Sequence, residues 1–384
     1  MKNILLLGAT GSIGDSVLSV IEQNQQSLNL YAITLDSNTF KAKNISEAFK
    51  PEYIHINNEK SFNKIKDDNQ INSKVLNGSP DLNALINDNK VDIIVSAITG
   101  FAGLEATAIA SKTGKIILLA NKESIVAAGE LILLSAESSG TTIIPIDSEH
   151  NAIFQCLAGE KNTDDVSKII ITASGGPFLN KSLSSLKGVT KEQALKHPNW
   201  SMGSKISIDS ATLVNKCLEL IEAKYLFGLD ERFFELVIHP QSIVHSIVSY
   251  RDGSSICQMS NPDMTVPIAH ALSDSRRLKN NFDAIDFSSL SLTFNEFPED
   301  RKKLENIARE VCKNGNSSGI VFNAANEIAV KNFLEDEISF NQIYDVIYRT
   351  FETTPMSNIT DIESIYEKDI ESRMEAKKVV KSIS

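Results

Sequence analysis

Gly8-Ala9-Thr10-Gly11-Ser12-Ile13-Gly14 constrains what this chain can fold into more than any other stretch. It follows Ile4-Leu5-Leu6-Leu7, a short apolar run of the kind that fills a strand covered on both faces. After it, Val17, Val20 and Ile21 recur at helical spacing. Glycines at 8, 11 and 14 let the chain turn tightly, bring backbone N–H groups up to a pyrophosphate, and pack a helix close on a strand. Strand, glycine turn and helix in that order predict the first βα unit of a parallel α/β sheet that binds a dinucleotide.

Residues 30–35, 91–97 and 115–120 read as further strands of the same sheet, with a helix expected over 102–112. The strand 30–35 ends at Asp36-Ser37-Asn38. An acid there bonds a ribose hydroxyl and favours NAD, whereas Lys41 and Lys43 offer positive charge to a 2′-phosphate. Asp36 also suits the N-cap of a following helix. Asn121-Lys122-Glu123-Ser124 stands just past a strand end, either a ligand-binding position or a solvated loop. Residues 143–146 run into Asp147-Ser148-Glu149. If that segment stays extended, both carboxylates point the same way. Together with Glu219 they make a hard oxygen site of magnesium or manganese type; the plain alternative is an exposed turn.

In the middle of the chain, the strand 169–173 opens into Ser174-Gly175-Gly176-Pro177-Phe178, where successive N–H groups can converge on an anion. The loop His197-Pro198-Asn199-Trp200-Ser201-Met202 holds the single Trp, which is costly to expose unless it covers something. Asp209 or Ser210 can cap the next helix, whose stripe is Val214, Cys217, Leu218, Ile221 and Tyr225 and whose stop is Gly228. Asn215, Lys216 and Glu219 share another patch of it, suited to a phosphate beside a metal-bound group, or else simply solvated. Residues 234–239, 242–248 and 256–259 read as antiparallel strands, with His239 and His245 as packing residues. From Arg301 the pattern is helical, and Asn323, Asn326 and Glu327 suit interhelical hydrogen bonds.

A net charge of −11 argues against a general nucleic-acid binder. The four cysteines form no C-x-x-C pair, so neither a disulfide framework nor a zinc ribbon is expected. No apolar run approaches the roughly 18–20 residues of a membrane span. A first strand beginning at Asn3 leaves no room for a leader, so a cytoplasmic protein without membrane partners is expected.

The glycine turn, residues 119–124, Asp147-Ser148-Glu149, residues 174–178, the stretch 197–219 and residues 322–327 together resemble the 1-deoxy-D-xylulose 5-phosphate reductoisomerase family, in order and over nearly the whole chain. The resemblance implies an oxidoreductase of the non-mevalonate isoprenoid pathway. Such an enzyme isomerises and reduces 1-deoxy-D-xylulose 5-phosphate to 2-C-methyl-D-erythritol 4-phosphate with NADPH and magnesium or manganese. It also implies a homodimer and an α/β fold in parts: a Rossmann-type NADPH domain at 1–147, a central α+β catalytic domain with a smaller sheet and a flap at 148–273, a linker at 274–299 and a helical bundle at 300–384. By the same resemblance, Asp147, Glu149 and Glu219 are metal ligands, and Lys122 and Glu149 move protons. Ser148 lies with Lys122 at the reacting hydroxyls, and Ser174, Ser210, Asn215 and Lys216 contact substrate and phosphate. His197, Trp200 and Met202 belong to the flap, while Thr10, Gly11, Ser12, Ile13, Ser37, Asn38, Asn121, Glu123 and Gly203 contact the cofactor. The chain departs from the family pattern at Cys217, Ser204 and Asp36-Ser37. Two other readings share the glycine turn: a two-domain dehydrogenase of homoserine or semialdehyde type, and a non-enzymatic NADP sensor.

Overall fold

The structure, a computed structural model, describes residues 1–160, 162–273 and 276–383. Residues 274 and 275, which open the expected linker, and residue 384, which ends the expected helical bundle, lie outside the described residues. The chain forms two compact units. The first comprises Met1–Ser124, Ile132–Asn151 and Asp263–Phe282; the second comprises Ile125–Leu131, Ala152–Pro262 and Asp283–Ser384.

In the first unit, β1 (Lys2–Leu7), β2 (Leu28–Leu35), β3 (Tyr53–Ile56), β4 (Lys74–Leu76), β5 (Ile93–Ser96), β6 (Ile116–Leu119) and β7 (Thr142–Pro145) make one parallel sheet. Its order is β4-β3-β2-β1-β5-β6-β7, so the direction of winding reverses between β1 and β5. A crevice opens beyond the strand ends at such a point. The helices of this unit are α1 (Ser12–Gln23), α2 (Thr39–Phe49), α3 (Glu59–Ile65), α4 (Ser79–Asn87) and α5 (Leu104–Ala110). α6 (Lys122–Ser139) and α7 (Ser148–Leu157) contribute residues to both units. Ile4 to Leu7 are fully buried, as the apolar run predicts, and Val17, Val20 and Ile21 of α1 join the same core. Each such side chain contributes about 1.5–3 kcal/mol by leaving water. Far along the chain, α11 (Thr265–Leu272) packs on α1 and adds Ile268 and Leu272 to that core. Asn24 Nδ2 donates to the Lys279 carbonyl at 2.8 Å, and the Asn281 N–H donates to Gln23 Oε1 at 2.7 Å, which fastens the returning segment.

The second unit holds a smaller sheet of β8 (Val166–Ala173), β9 (Phe234–Ile238), β10 (Val244–Tyr250), β11 (Ser255–Met259) and β12 (Asn295–Glu296), in the order β11-β10-β8-β9-β12. β9 and β10 run in opposite directions, as expected, yet they do not pair. β8 lies between them, parallel to β9 and antiparallel to β10. The link between them is wider than a hairpin turn, and it carries Ser242 at a φ of +54°. Its helices are α8 (Lys191–Leu195), α9 (Ser204–Thr212), α10 (Val214–Phe227), α12 (Lys302–Asn314), α13 (Ser318–Leu334), α14 (Phe340–Thr353) and α15 (Ile362–Ile383). α13 is apolar on most sides because α14, α15, α12 and α9 surround it. A parallel sheet at the N-terminus, a second smaller sheet and C-terminal helices are thus the α/β class that the sequence implies.

Candidate active site

In the first unit, Gly8 takes a φ of +83°, and a Cβ there would stand 2.6 Å from the Ala97 carbonyl oxygen. A Cβ on Gly14 would strike the Ala9 carbonyl. Only hydrogen fits at both positions, so β1 and β5 approach closely and α1 starts hard against the turn. Gly11 caps α1 with extended backbone and no side-chain acceptor, which leaves the helix's first N–H groups for an outside anion. A pyrophosphate fits such a cradle. Thr10 is half-buried, Ser12 is exposed, and Ile13 packs against the core. Ser37 is exposed at the end of β2.

The cap of α2 is Asn38, whose Oδ1 accepts the Lys41 N–H at 3.1 Å, and not Asp36. Asp36 precedes the helix by too much to reach its first N–H groups; its Oδ1 accepts Asn57 Nδ2 at 3.4 Å. Lys43 pairs with Asp68 at 2.5 Å, and Lys41 Nζ lies 2.6 Å from Asp15 and 3.0 Å from the Thr10 carbonyl.

Past β6, Asn121 is buried and caps α6, its Oδ1 accepting the Ser124 N–H and hydroxyl. Its Nδ2 donates to the carbonyls of Ile98 and Gly100 and to Glu123 Oε2, at 2.7, 2.9 and 3.1 Å. The loops that follow β5 and β6 are thereby tied together, and Glu123 is buried among them. The next residue, Lys122, is also buried, with Nζ 2.6 Å from Asp147 Oδ2.

The segment Asp147-Ser148-Glu149 is not extended. α7 begins at Ser148, and Asp147 stands just before it, its Oδ1 accepting the Ser148 N–H at 2.9 Å and its carbonyl accepting the Asn151 N–H at 2.8 Å. Helical winding, instead of strand alternation, brings Asp147 and Glu149 oxygens within 4.8 Å of each other. Two carboxylates at a helix N-terminus are favoured by its free N–H groups. Ser148 Oγ donates to Glu149 Oε2 at 2.5 Å. Hard oxygens this close, beside one buried ammonium, suit a divalent cation.

In the second unit, Gly175 and Gly176 take φ of +84° and +66° after β8. A Cβ on Gly176 would lie 2.8 Å from the Ser210 carbonyl oxygen, so the glycine lets this turn touch α9. Ser174 Oγ accepts the Gly176 N–H at 3.1 Å and lies 2.9 Å from His197 Nε2. His197 Nδ1 accepts the N–H groups of Asn199 and Trp200, at 3.1 and 3.0 Å. An acceptor Nδ1 fixes the neutral tautomer with hydrogen on Nε2, which donates to Ser174. The Ser174 hydroxyl hydrogen is then left to point at a ligand. Asn199 Nδ2 donates to the Pro240 carbonyl and to Ser242 Oγ, at 2.7 and 2.9 Å, and so pins the loop 197–202. Trp200 is half-buried, edge-on to His245 with ring centroids 6.1 Å apart; Met202 is half-buried and Gly203 exposed.

Asp209 and Ser210 do not cap a helix. Both lie inside α9, and the break falls at Leu213, with φ of +66°, before α10 begins. α10 runs from Val214 to the Gly228 stop as expected, but from Lys216 to Ala223 it is buried on every side and not along one stripe. Glu219 is fully buried, its Oε1 accepting Asn215 Nδ2 at 2.5 Å and its Oε2 accepting Lys216 Nζ at 2.6 Å. Sequence reading gave Asp209 only a capping role and missed that it is fully buried, held by Lys205 at 2.8 Å and by Asn326 Nδ2 at 2.9 Å. It also overlooked Asn199 and Ser242; neither lies in a repeating pattern, and only the fold brings them together. Asn326 and Glu327 make the expected interhelical bonds, Glu327 Oε2 accepting Arg373 at 2.5 Å, whereas Asn323 Nδ2 donates to Glu327 Oε1 at 3.2 Å within α13 itself.

A glycine cradle beyond a parallel sheet, paired carboxylates beside a lysine, and a glycine–serine anion turn define a class: a dinucleotide-binding α/β enzyme with a hard-oxygen metal site. Three family models match the chain, 1-deoxy-D-xylulose 5-phosphate reductoisomerase over residues 4–129, its C-terminal domain over 143–227, and a DXP reductoisomerase C-terminal domain over 259–375. The 1-deoxy-D-xylulose 5-phosphate reductoisomerase of Shewanella frigidimarina is 42% identical, with 100% of both chains covered. The Zymomonas mobilis enzyme, solved with NADPH, superposes with a TM-score of 0.92 at 38% identity, with 100% of each chain covered. A DOX-P reductoisomerase solved with NADPH, fosmidomycin and magnesium does so with a TM-score of 0.92 at 39% identity, covering 99% of this chain and 98% of that one. The chain belongs to the 1-deoxy-D-xylulose 5-phosphate reductoisomerase family.

Proposed function

We propose that this protein isomerises 1-deoxy-D-xylulose 5-phosphate and reduces the product to 2-C-methyl-D-erythritol 4-phosphate, with NADPH and a divalent cation, magnesium or manganese. The observation that carries the reading is family membership along the whole chain, with a buried Glu219 clasped by Asn215 and Lys216. Asp147, Glu149 and Glu219 are the cation's ligands. When bound, the cation supplies polarisation of substrate oxygens, and NADPH supplies the hydride.

The chain's own residues do the rest. Glu149 takes up the proton of a reacting hydroxyl, and Ser148, which donates to its Oε2, holds it in place. Lys122 holds Asp147 in place through its Nζ and stands with Ser148 at the reacting hydroxyls. Ser174, the Gly175-Gly176 turn, Ser210, Asn215 and Lys216 bind the substrate phosphate, whose binding energy holds the distant reacting carbons in place. His197 aims the Ser174 hydroxyl, and Trp200 covers the substrate and excludes water. The nicotinamide nucleotide lies along Thr10 to Ile13, Ser37, Asn38, Asn121, Glu123 and Gly203. Since the Asn121 side chain is spent on protein partners, its contact is through the backbone. We assign NADPH binding to residues 1–147, metal and substrate chemistry to 148–273, and a buttressing role to 300–384, joined by 274–299. The working form is a cytoplasmic homodimer. Among the described residues no helix is long and apolar enough to cross a membrane.

The test is NADPH oxidation with 1-deoxy-D-xylulose 5-phosphate, with and without magnesium or manganese. Turnover that depends on both substrate and cation is expected. Glu219→Gln should cut it by orders of magnitude while NADPH still binds. Metal-independent oxidation, or near-normal Glu219→Gln activity at ordinary metal concentration, refutes the assignment.

A further inference from the structure

We infer that Lys41 is the residue that reads the 2′-phosphate of the cofactor, and that Asp15 holds it ready in the empty protein; this rests on the NADPH reading above. In sheets of this kind the adenosine ribose lies between the glycine turn after the first strand and the loop after the second. A cation near the end of that second strand is what accommodates a 2′-phosphate. The loop after β2 itself offers no cation, only Asp36, Ser37 and Asn38. Asn38 Oδ1 is used by the helix cap, so the loop can give the phosphate hydroxyl, amide and backbone donors but no positive charge.

Two lysines follow, and the structure separates them. Lys43 is turned toward Asp68, at 2.5 Å, a residue of the segment after α3. Lys41, in the first turn of α2, reaches the other way: its Nζ donates to the Thr10 carbonyl at 3.0 Å and to Asp15 Oδ2 at 2.7 Å. It therefore bridges the two loops that bracket the ribose. Asp15 lies in the first turn of α1, with a side chain 59% exposed, against 26% for Lys41. An ion pair so open to water is weak, and a doubly charged phosphate displaces it at little cost. Asp36, with Asn57 at 3.4 Å, is the acid within the loop itself that could repel the phosphate; Lys41 offsets it.

The test uses the intact protein and equilibrium binding of NADPH, NADH and 2′,5′-ADP, followed by reduced-nicotinamide fluorescence and by calorimetry. Lys41→Gln should weaken NADPH and 2′,5′-ADP about ten- to a hundredfold, the scale of a lost charge-assisted hydrogen bond, and leave NADH unchanged. Lys43→Gln should change none of the three. Asp15→Asn should tighten NADPH but not NADH, by about two- to threefold. If the wild type prefers NADPH and Lys41→Gln binds it equally well, the inference fails while the functional reading stands. If Lys41→Gln weakens NADPH and NADH alike, Lys41 shapes the loop and does not read the phosphate, and the inference also fails. A wild type that binds NADH as tightly as NADPH overturns the cofactor assignment, and the inference with it.

Discussion

At the scale of single residues, the buried histidines show how sharply environment sets charge. His239 is fully buried, stacked on Phe294 at 4.7 Å, with Nδ1 against the Thr293 carbonyl and Nε2 accepting the Ile243 N–H. Burial holds its pKa below the usual histidine value, although the Thr293 bond works the other way. The unfolded chain therefore takes up this proton first as pH falls. Stability from this group is complete above about pH 6.5 and is lost as the pH drops toward the folded value, with a slope of up to about 1.4 kcal/mol per pH unit. His270, depressed by burial and by Arg277, adds a term of the same sign. We expect the midpoint of thermal unfolding to fall between pH 7 and pH 5, and His239→Gln to fall less steeply from its own lower start. Parallel slopes for the two proteins would show that His239 does not carry the effect.

At the scale of elements, the loop 197–202 is pinned to the segment after β9 by the bonds from Asn199 to Pro240 and Ser242. Asn199→Ala removes both. Trp200 should then leave His245, its emission should shift to the red, and iodide should quench it more strongly, with KM for substrate raised about tenfold. An unchanged spectrum and unchanged quenching would count against the loop's being pinned there. Elements also differ in how far the sequence discloses them. The glycine turn is legible because its cause is local: two sites where only hydrogen fits, between an apolar run and a helical stripe. The Gly228 stop of α10 is legible for the same reason. The left-handed residue that separates α9 from α10 is a leucine, which nothing in a sequence marks as a break. Asp147 and Glu149 meet as the motif suggests but by helical winding, because strand or helix at Ser148 is settled by packing after Pro145 and not by residue type. The insertion of β8 between β9 and β10 depends on long-range pairing, which alternation along one strand cannot express.

At the scale of the whole molecule, the first unit is assembled from three separated stretches, the last of which ends at Phe282. α11 packs on α1 and shares a core cluster with Val17 and Ile21, so a chain cut after Pro262 lacks part of that core. We expect such a truncation to lose more than half of its NADPH affinity and to bind a hydrophobic dye, where the full chain does not. Tight NADPH binding by the shortened chain would show that α11 is dispensable.

The return of α11 also fixes an order of events during synthesis. The glycine cradle emerges from the ribosome first, yet the helix that closes its core is among residues made after most of the second unit. For most of translation the nucleotide-binding half is an unfinished sheet with an uncovered apolar helix face, a state prone to stick to its neighbours. Pairing residues so distant in sequence is slow, because a long loop must close before the contact rewards it. A nascent chain of this protein is thus a natural client for chaperones until residue 282 is free, and its second unit is completed only by residues made after that point.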